Sequence, residues 1–181
     1  MKAVVFLADG FEECEALIVV DILRRAGVET IMASVMGRLE VESSRHIIVK
    51  ADELAKEVDY SSADLIFLPG GRLGTENLAK SELVKEKCLE FADDKMVAAI
   101  CAAPTILAEL GLMKRATVHP DFKYCMPGVD VENRKVVIDG NIVTGQGLGA
   151  VFQFAFTLVE ELYGDSLITE KIKRSICYES F

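Results

Sequence analysis

Paired cysteines are missing from this 181-residue sequence. The five present are odd in number and form no C-x-x-C pair, which argues against a disulfide framework and for a reducing compartment, the cytoplasm. Histidine is scarce too. With only His46 and His119 the ligands of a dedicated zinc site are lacking, and no metal is expected. There is no basic excess: 20 lysines and arginines face 29 acidic residues, for a net charge of -9. No basic run stands ready to hold a phosphate backbone, so no nucleic-acid partner is expected. Long apolar runs are absent as well. Ala3 to Ala8 is too short for a signal peptide, and Val97 to Met113 contains Pro104 and Glu109, which suits a core and no membrane partner. Gly145-Gln146-Gly147-Leu148-Gly149 lacks the G-x-G-x-x-G spacing and does not follow the first strand, so no flavin or nicotinamide cofactor is expected.

What is present is an alternation of β-branched runs and helical patterns, the signature of βαβ units and a mainly parallel sheet. Strands are expected at Lys2–Leu7, Glu29–Ser34, Asp64–Leu68, Val97–Ile100 and Asn141–Thr144, with weaker ones near His46–Lys50, Ala116–Val118 and Lys135–Ile138. Helices are expected at Glu12–Ala26, Ser81–Asp93, Ala103–Leu110, Ala150–Tyr163 and Ser166–Ser175, with Gly27 and Gly111 as left-handed caps. No linker or repeat divides residues 1–181, which read as one α/β domain. The first helix is apolar almost all round, since Glu15 and Asp21 are the only charges from Cys14 to Leu23. A helix without a polar face is buried on two sides. The sheet accounts for one side, and a second copy of the chain, in a symmetric homodimer, for the other.

The segment Val97-Ala98-Ala99-Ile100-Cys101-Ala102-Ala103-Pro104 passes directly from strand to helix. A nucleophile elbow needs a sharp turn and small residues on either side of the nucleophile, which Ala99 and Ala103 supply. Pro104 fits the first helical turn. The helix dipole is expected to lower the Cys101 pKa. Most cysteines are merely small buried hydrophobes, the reading we give Cys14, packed in the core or a dimer contact, and Cys88. We assign no role to Cys125 or Cys177. Cys101, on the elbow, is the candidate nucleophile.

Two further loops follow strand C-termini, where ligands collect in an open parallel sheet. The first is Ala8-Asp9-Gly10-Phe11-Glu12-Glu13-Cys14-Glu15, the second Leu68-Pro69-Gly70-Gly71-Arg72-Leu73-Gly74. Glycines let backbone amides approach a reacting group, as an oxyanion hole requires. Glu12 and Glu13 complement the helix dipole. Glu15 lies deeper among apolar neighbours, where a carboxylate is costly without a partner.

Together with Thr117-Val118-His119-Pro120, these segments resemble the ThiJ/PfpI family over nearly the whole length. The resemblance implies a flavodoxin-like three-layer α/β sandwich with a mainly parallel central sheet, and a homodimer. It implies that Cys101 is the reactive cysteine, Glu15 the acid hydrogen-bonded to its sulfur, and the amides of Gly71 and Ala102 the pair beside the thiol. Gly70 supports that loop, and His119 matches a histidine near the cysteine. Protease-like members place histidine directly after the nucleophile; Ala102 stands there in this chain, which argues against peptidase chemistry. Gln146 and Leu148 replace an arginine and a proline of the animal members, so the pocket is expected to differ in shape.

Two functions are in view. One is a cysteine-dependent, glutathione-independent glyoxalase or deglycase acting on a small electrophilic carbonyl. The other is a non-catalytic oxidative-stress sensor or redox chaperone that acts through sulfinic acid formation at Cys101.

Overall fold

The computed structural model describes residues 1–178. The strands are β1 (Lys2–Leu7), β2 (Glu29–Ser34), β3 (Glu40–Glu42), β4 (Ile48–Lys50), β5 (Glu53–Leu54), β6 (Leu65–Leu68), β7 (Met96–Ile100), β8 (Arg115–Ala116), β9 (Asp130–Val131), β10 (Val136–Asp139) and β11 (Ile142–Gly145). The helices are α1 (Glu13–Arg25), α2 (Arg72–Ala79), α3 (Glu82–Asp94), α4 (Pro104–Glu109), α5 (Val151–Tyr163) and α6 (Leu167–Ser175).

Seven strands form one sheet in the order β10-β11-β7-β6-β1-β2-β5. Its pairs are parallel except β10 with β11. Residues Ala3 to Leu7 and Leu65 to Leu68 are fully buried along their length, because a parallel strand covered on both faces has no solvent side. Successive residues serve opposite layers. Val4, Phe6, Ile66, Leu68, Val97 and Ala99 join one core with Val84 and Phe91 of α3 and Leu107 of α4. Val5, Leu7, Leu65, Phe67, Ala98 and Ile100 join a second with Val19 and Leu23 of α1 and Phe154 and Leu158 of α5. These are the three layers of a flavodoxin-like sandwich.

From β1 the chain runs outward to β2 and β5, then returns to β6 on the other side of β1. The strand order therefore reverses at β1–β6, where a parallel sheet opens a crevice beyond its strand ends. The loops after β1, β6, β7 and β11 share that end.

Four features differ from the sequence expectation. Residues 72–79, expected as loop, form α2. The weak strand at His46–Lys50 begins at Ile48 and pairs with β3 in a separate hairpin. The one expected at Ala116–Val118 ends at Ala116 and pairs with β9 outside the main sheet. Of the two places expected for Cys14, the core is ruled out: it is exposed in the single chain, because α1 turns Cys14 and Asp21 outward and leaves Leu17 and Ile18 only half-buried. Gly27 and Gly111 take the expected left-handed conformation, with φ of +82° and +70°. No helix among the described residues is long and apolar enough to cross a membrane.

Candidate active site

Cys101 follows the last residue of β7 with φ +64°, a left-handed conformation that a side-chain-bearing residue rarely holds. Such a residue costs roughly 1–2 kcal/mol and persists only where its surroundings hold it. Here its N–H donates to the Gly145 carbonyl at 2.9 Å, and its carbonyl accepts the His119 N–H at 2.9 Å. Ala99, Ala102 and Ala103 are fully buried round the turn, so a larger side chain has no room. Pro104 then opens α4.

Glu15 reaches the thiol from α1. Glu12 caps that helix, its carboxylate accepting the Glu15 N–H at 2.6 Å, and Glu15 sits one turn in, 1% exposed. Its Oε2 accepts the Gly70 N–H at 3.0 Å. It also hydrogen-bonds the Cys101 thiol and the Leu148 amide. Burial first, then the negative charge of Glu12, raise its pKa from 4.5 to about 7, against the opposing pull of those hydrogen bonds. Gly70 must be glycine. A methyl group there would strike the Glu15 carboxylate and lie 2.5 Å from Cys101 Cβ.

The expected lowering of the Cys101 pKa is not what the site produces. Burial and the Glu15 carboxylate push the thiol up from 9.0 to about 12, while hydrogen bonds from the Gly71 and Ala102 amides pull it back. The helix dipole does little at the sulfur because α4 has only six residues and starts three positions beyond it. Thiol and carboxyl form a coupled pair in which Glu15 is the stronger acid. Cys101 thus rests as a thiol beside a base poised at neutrality.

Gly71, with φ +89°, is the N-cap of α2. The structure brings Cys101, Glu15, Gly70, Gly71 and Ala102 into direct contact. His119 joins them chiefly through its backbone. Its Nδ1 accepts the Asp121 N–H at 3.3 Å, and its ring meets the edge of Phe122. Gln146 hydrogen-bonds Asn133 at 3.0 Å on the same rim. The other cysteines lie elsewhere: Cys88 is buried in α3, whereas Cys125 and Cys177 are exposed.

Two cavities open on Cys101. One, of about 640 Å³, runs between the β3–β4 hairpin turn and α2 and is lined by Ser43, Arg45, Arg72 and Leu73. The other, of about 660 Å³, is lined by Glu15, Arg45, His119, Lys135 and Gln146. Among the described residues no cluster of three or more His, Cys, Asp or Glu could hold a metal ion. Sequence reasoning overlooked Arg45 and Arg72, since the hairpin turn and the Gly-rich start of α2 carry no periodic signal. The i, i+3 pair Glu12–Glu15 was the available clue to the raised carboxyl.

Comparison with known proteins finds the DJ-1/PfpI family model matching residues 1–161. The Parkinson disease protein 7 homolog of Danio rerio is 39% identical over 170 residues, covering 90% of each chain. The Glutathione-independent glyoxalase DJR-1.2 of Caenorhabditis elegans is 29% identical, over 92% of this chain and 90% of that one. Among solved structures, oxidized Toxoplasma gondii DJ-1 aligns with a TM-score of 0.92 at 34% identity, over 98% of both chains.

Proposed function

This chain belongs to the DJ-1/PfpI family, and from that premise we propose that it is a cysteine-dependent, glutathione-independent glyoxalase acting on small dicarbonyls. The observation that carries the reading is a thiol on a strained elbow, hydrogen-bonded to a buried carboxyl whose pKa lies near 7. A general base is most effective with its pKa near the working pH. The likeness to a relative named as a glyoxalase supports the same reading.

Attack by Sγ on the aldehyde carbon of methylglyoxal passes the thiol proton to Glu15 and forms a hemithioacetal. The neighbouring amides of Gly71 and Ala102 stabilise negative charge as it leaves sulfur for oxygen. Glu15 hands that proton on to the new alkoxide. Ionised again, it takes the proton from the former aldehyde carbon and delivers it to the adjacent carbon, while the hydroxyl proton passes to the neighbouring oxygen, leaving a thioester of lactate. Water cleaves that thioester, releasing lactate and restoring the thiol, so one water is consumed per methylglyoxal. A positioned acid–base group contributes roughly 10²–10⁴ in rate. His119 stands at the rim as a secondary contributor, and no metal or organic cofactor enters the cycle. Purified protein is expected to form lactate from methylglyoxal, and Cys101→Ser to abolish it. Equal rates for the two proteins would exclude the mechanism.

A second reading draws on the same half-buried thiol: oxidation of Cys101 by peroxide to a sulfinate held by protonated Glu15. The Toxoplasma gondii relative is known in an oxidized form. Mild peroxide should add two oxygens at the Cys101 peptide, and Glu15→Leu should suppress the gain. Oxidation spread evenly over Cys14, Cys125 and Cys177 would count against it. We further propose that the chain works as a homodimer joined through α1.

A further inference from the structure

Cations are the minority in this chain, yet three stand round the thiol. Arg45, in the turn of the β3–β4 hairpin, lines both cavities that meet at Cys101. Arg72, the first residue of α2, lines one, and Lys135, just before β10, lines the other. Among the described residues none of the three is in an ion pair. The carboxylates sharing the first cavity are already engaged. Asp9 is held by Arg38 at 2.7 Å and by the Glu42 amide at 3.0 Å. Glu42 lies 2.6 Å from His46 Nδ1, and Glu12 caps α1. In the second cavity Glu12 recurs beside Glu15, which is half-neutralised by its proton near pH 7.

The donors are also free to act. Arg45 gives one N–H to the Ser44 carbonyl at 3.3 Å. Glu13, which feels its charge, hydrogen-bonds the Ser44 hydroxyl at 3.2 Å instead. The Arg72 guanidinium lies 4.8 Å above the Phe122 ring, a stacking that leaves its in-plane N–H edge available.

We propose that the site selects electrophiles bearing an oxyanion, a carboxylate or a phosphate, and that Arg45 recognises that group, aided by Arg72 in one cavity and Lys135 in the other. The inference deepens the reading of Cys101 as a carbonyl-attacking thiol and takes its reaction class from it. The preferred substrate is then an α-oxoaldehyde carrying a terminal oxyanion, with methylglyoxal a poorer, neutral one.

The test uses the full-length protein and two probes of similar shape, iodoacetate and iodoacetamide, with alkylation of the Cys101 peptide followed by mass spectrometry. A change in thiol acidity moves both rates together. The iodoacetate-to-iodoacetamide ratio, divided by that of free cysteine, therefore isolates the pull on the anion. Wild type is expected to exceed free cysteine by about fivefold, the worth of one partly exposed charge pair. Arg45→Gln should return the ratio most of the way to that of free cysteine, Arg45→Lys should keep part of it, and molar salt should compress it. A wild-type ratio at or below that of free cysteine, or one that Arg45→Gln leaves unmoved, overturns the proposal. A raised ratio without lactate formation from methylglyoxal would leave the oxyanion site standing and remove the glyoxalase reading. To separate the two oxyanions, inorganic phosphate and acetate are compared as competitors of iodoacetate; protection by one alone names the source.

Discussion

Glu15 concentrates the cost of this site in one side chain. Its folded pKa of about 7 lies above the ordinary 4.5, so the folded chain binds more protons than the unfolded one between those values. That contribution favours folding below about pH 4.5 and is lost as pH rises through about 7. The amount lost is of the order of 3 kcal/mol. Glu15→Gln removes the titration, so the variant should gain stability relative to wild type between pH 5 and pH 8, by up to about 3 kcal/mol. Urea unfolding at the two pH values measures it, and a pH-independent difference would mean that the carboxyl titrates at its ordinary value. In the same range kcat/KM for methylglyoxal should rise with pH through about 7 as the base ionises. That Glu15 and Cys101 are the candidates was legible from a carboxylate among apolar residues and a cysteine between small ones. The direction of the thiol's shift was not, because it depends on how deeply the fold buries both groups, and no local pattern records burial depth.

At the level of elements, α2 shows how a close approach overrides propensity. Gly74 lies inside this helix, where alanine would ordinarily gain about 1 kcal/mol. Yet a methyl group at Gly74 would sit 2.6 Å from both the N and Cα atoms of Phe11, backbone atoms that cannot swing aside. Gly74→Ala is therefore expected to destabilise the protein by about 2 kcal/mol or more. It should also slow Cys101 alkylation by pushing the Gly71 amide off the sulfur. Gly111→Ala, with φ +70° and open space around the position, should cost about 1 kcal/mol and leave alkylation unchanged. Urea midpoints and alkylation rates on the two variants separate the effects. The same glycines hid α2 from sequence reading, since the residues that let it approach β1 are those that erase a helical signal. The long strands and α1, α3, α4 and α5 were legible because each buries a continuous or periodic apolar face. The two- and three-residue strands β3, β5 and β9 are too short to carry a period, and tertiary pairing alone defines them.

For the molecule as a whole, the outward face of α1 is the unresolved surplus. The helix places Ala16, Val19, Val20 and Leu23 against the sheet and α5, which leaves Leu17 and Ile18 half-buried on its other side. Ile18 continues into a shallow cavity with Phe152, Ile176 and Tyr178, where the Phe152 and Tyr178 rings lie 5.5 Å apart, tilted by 40°. Phe152 is 36% exposed and Tyr178 41%. A stable dimer needs about 800 Å² from each partner, which one helix face with flanking aromatic residues can approach. The Asp21–Arg25 pair at 2.6 Å marks the polar end of that patch, suited to a rim. The proposed homodimer therefore predicts a two-subunit mass by sedimentation at micromolar concentration and a Tm that rises with concentration. Ile18→Glu places a charge in the middle of the patch on both copies and should yield folded monomer with Cys101 still open to alkylation. A wild-type chain that sediments as monomer throughout would remove the dimer. The apolar face of α1 would then have to be explained by some other partner, and the elbow chemistry, built from residues of one chain, would be unaffected.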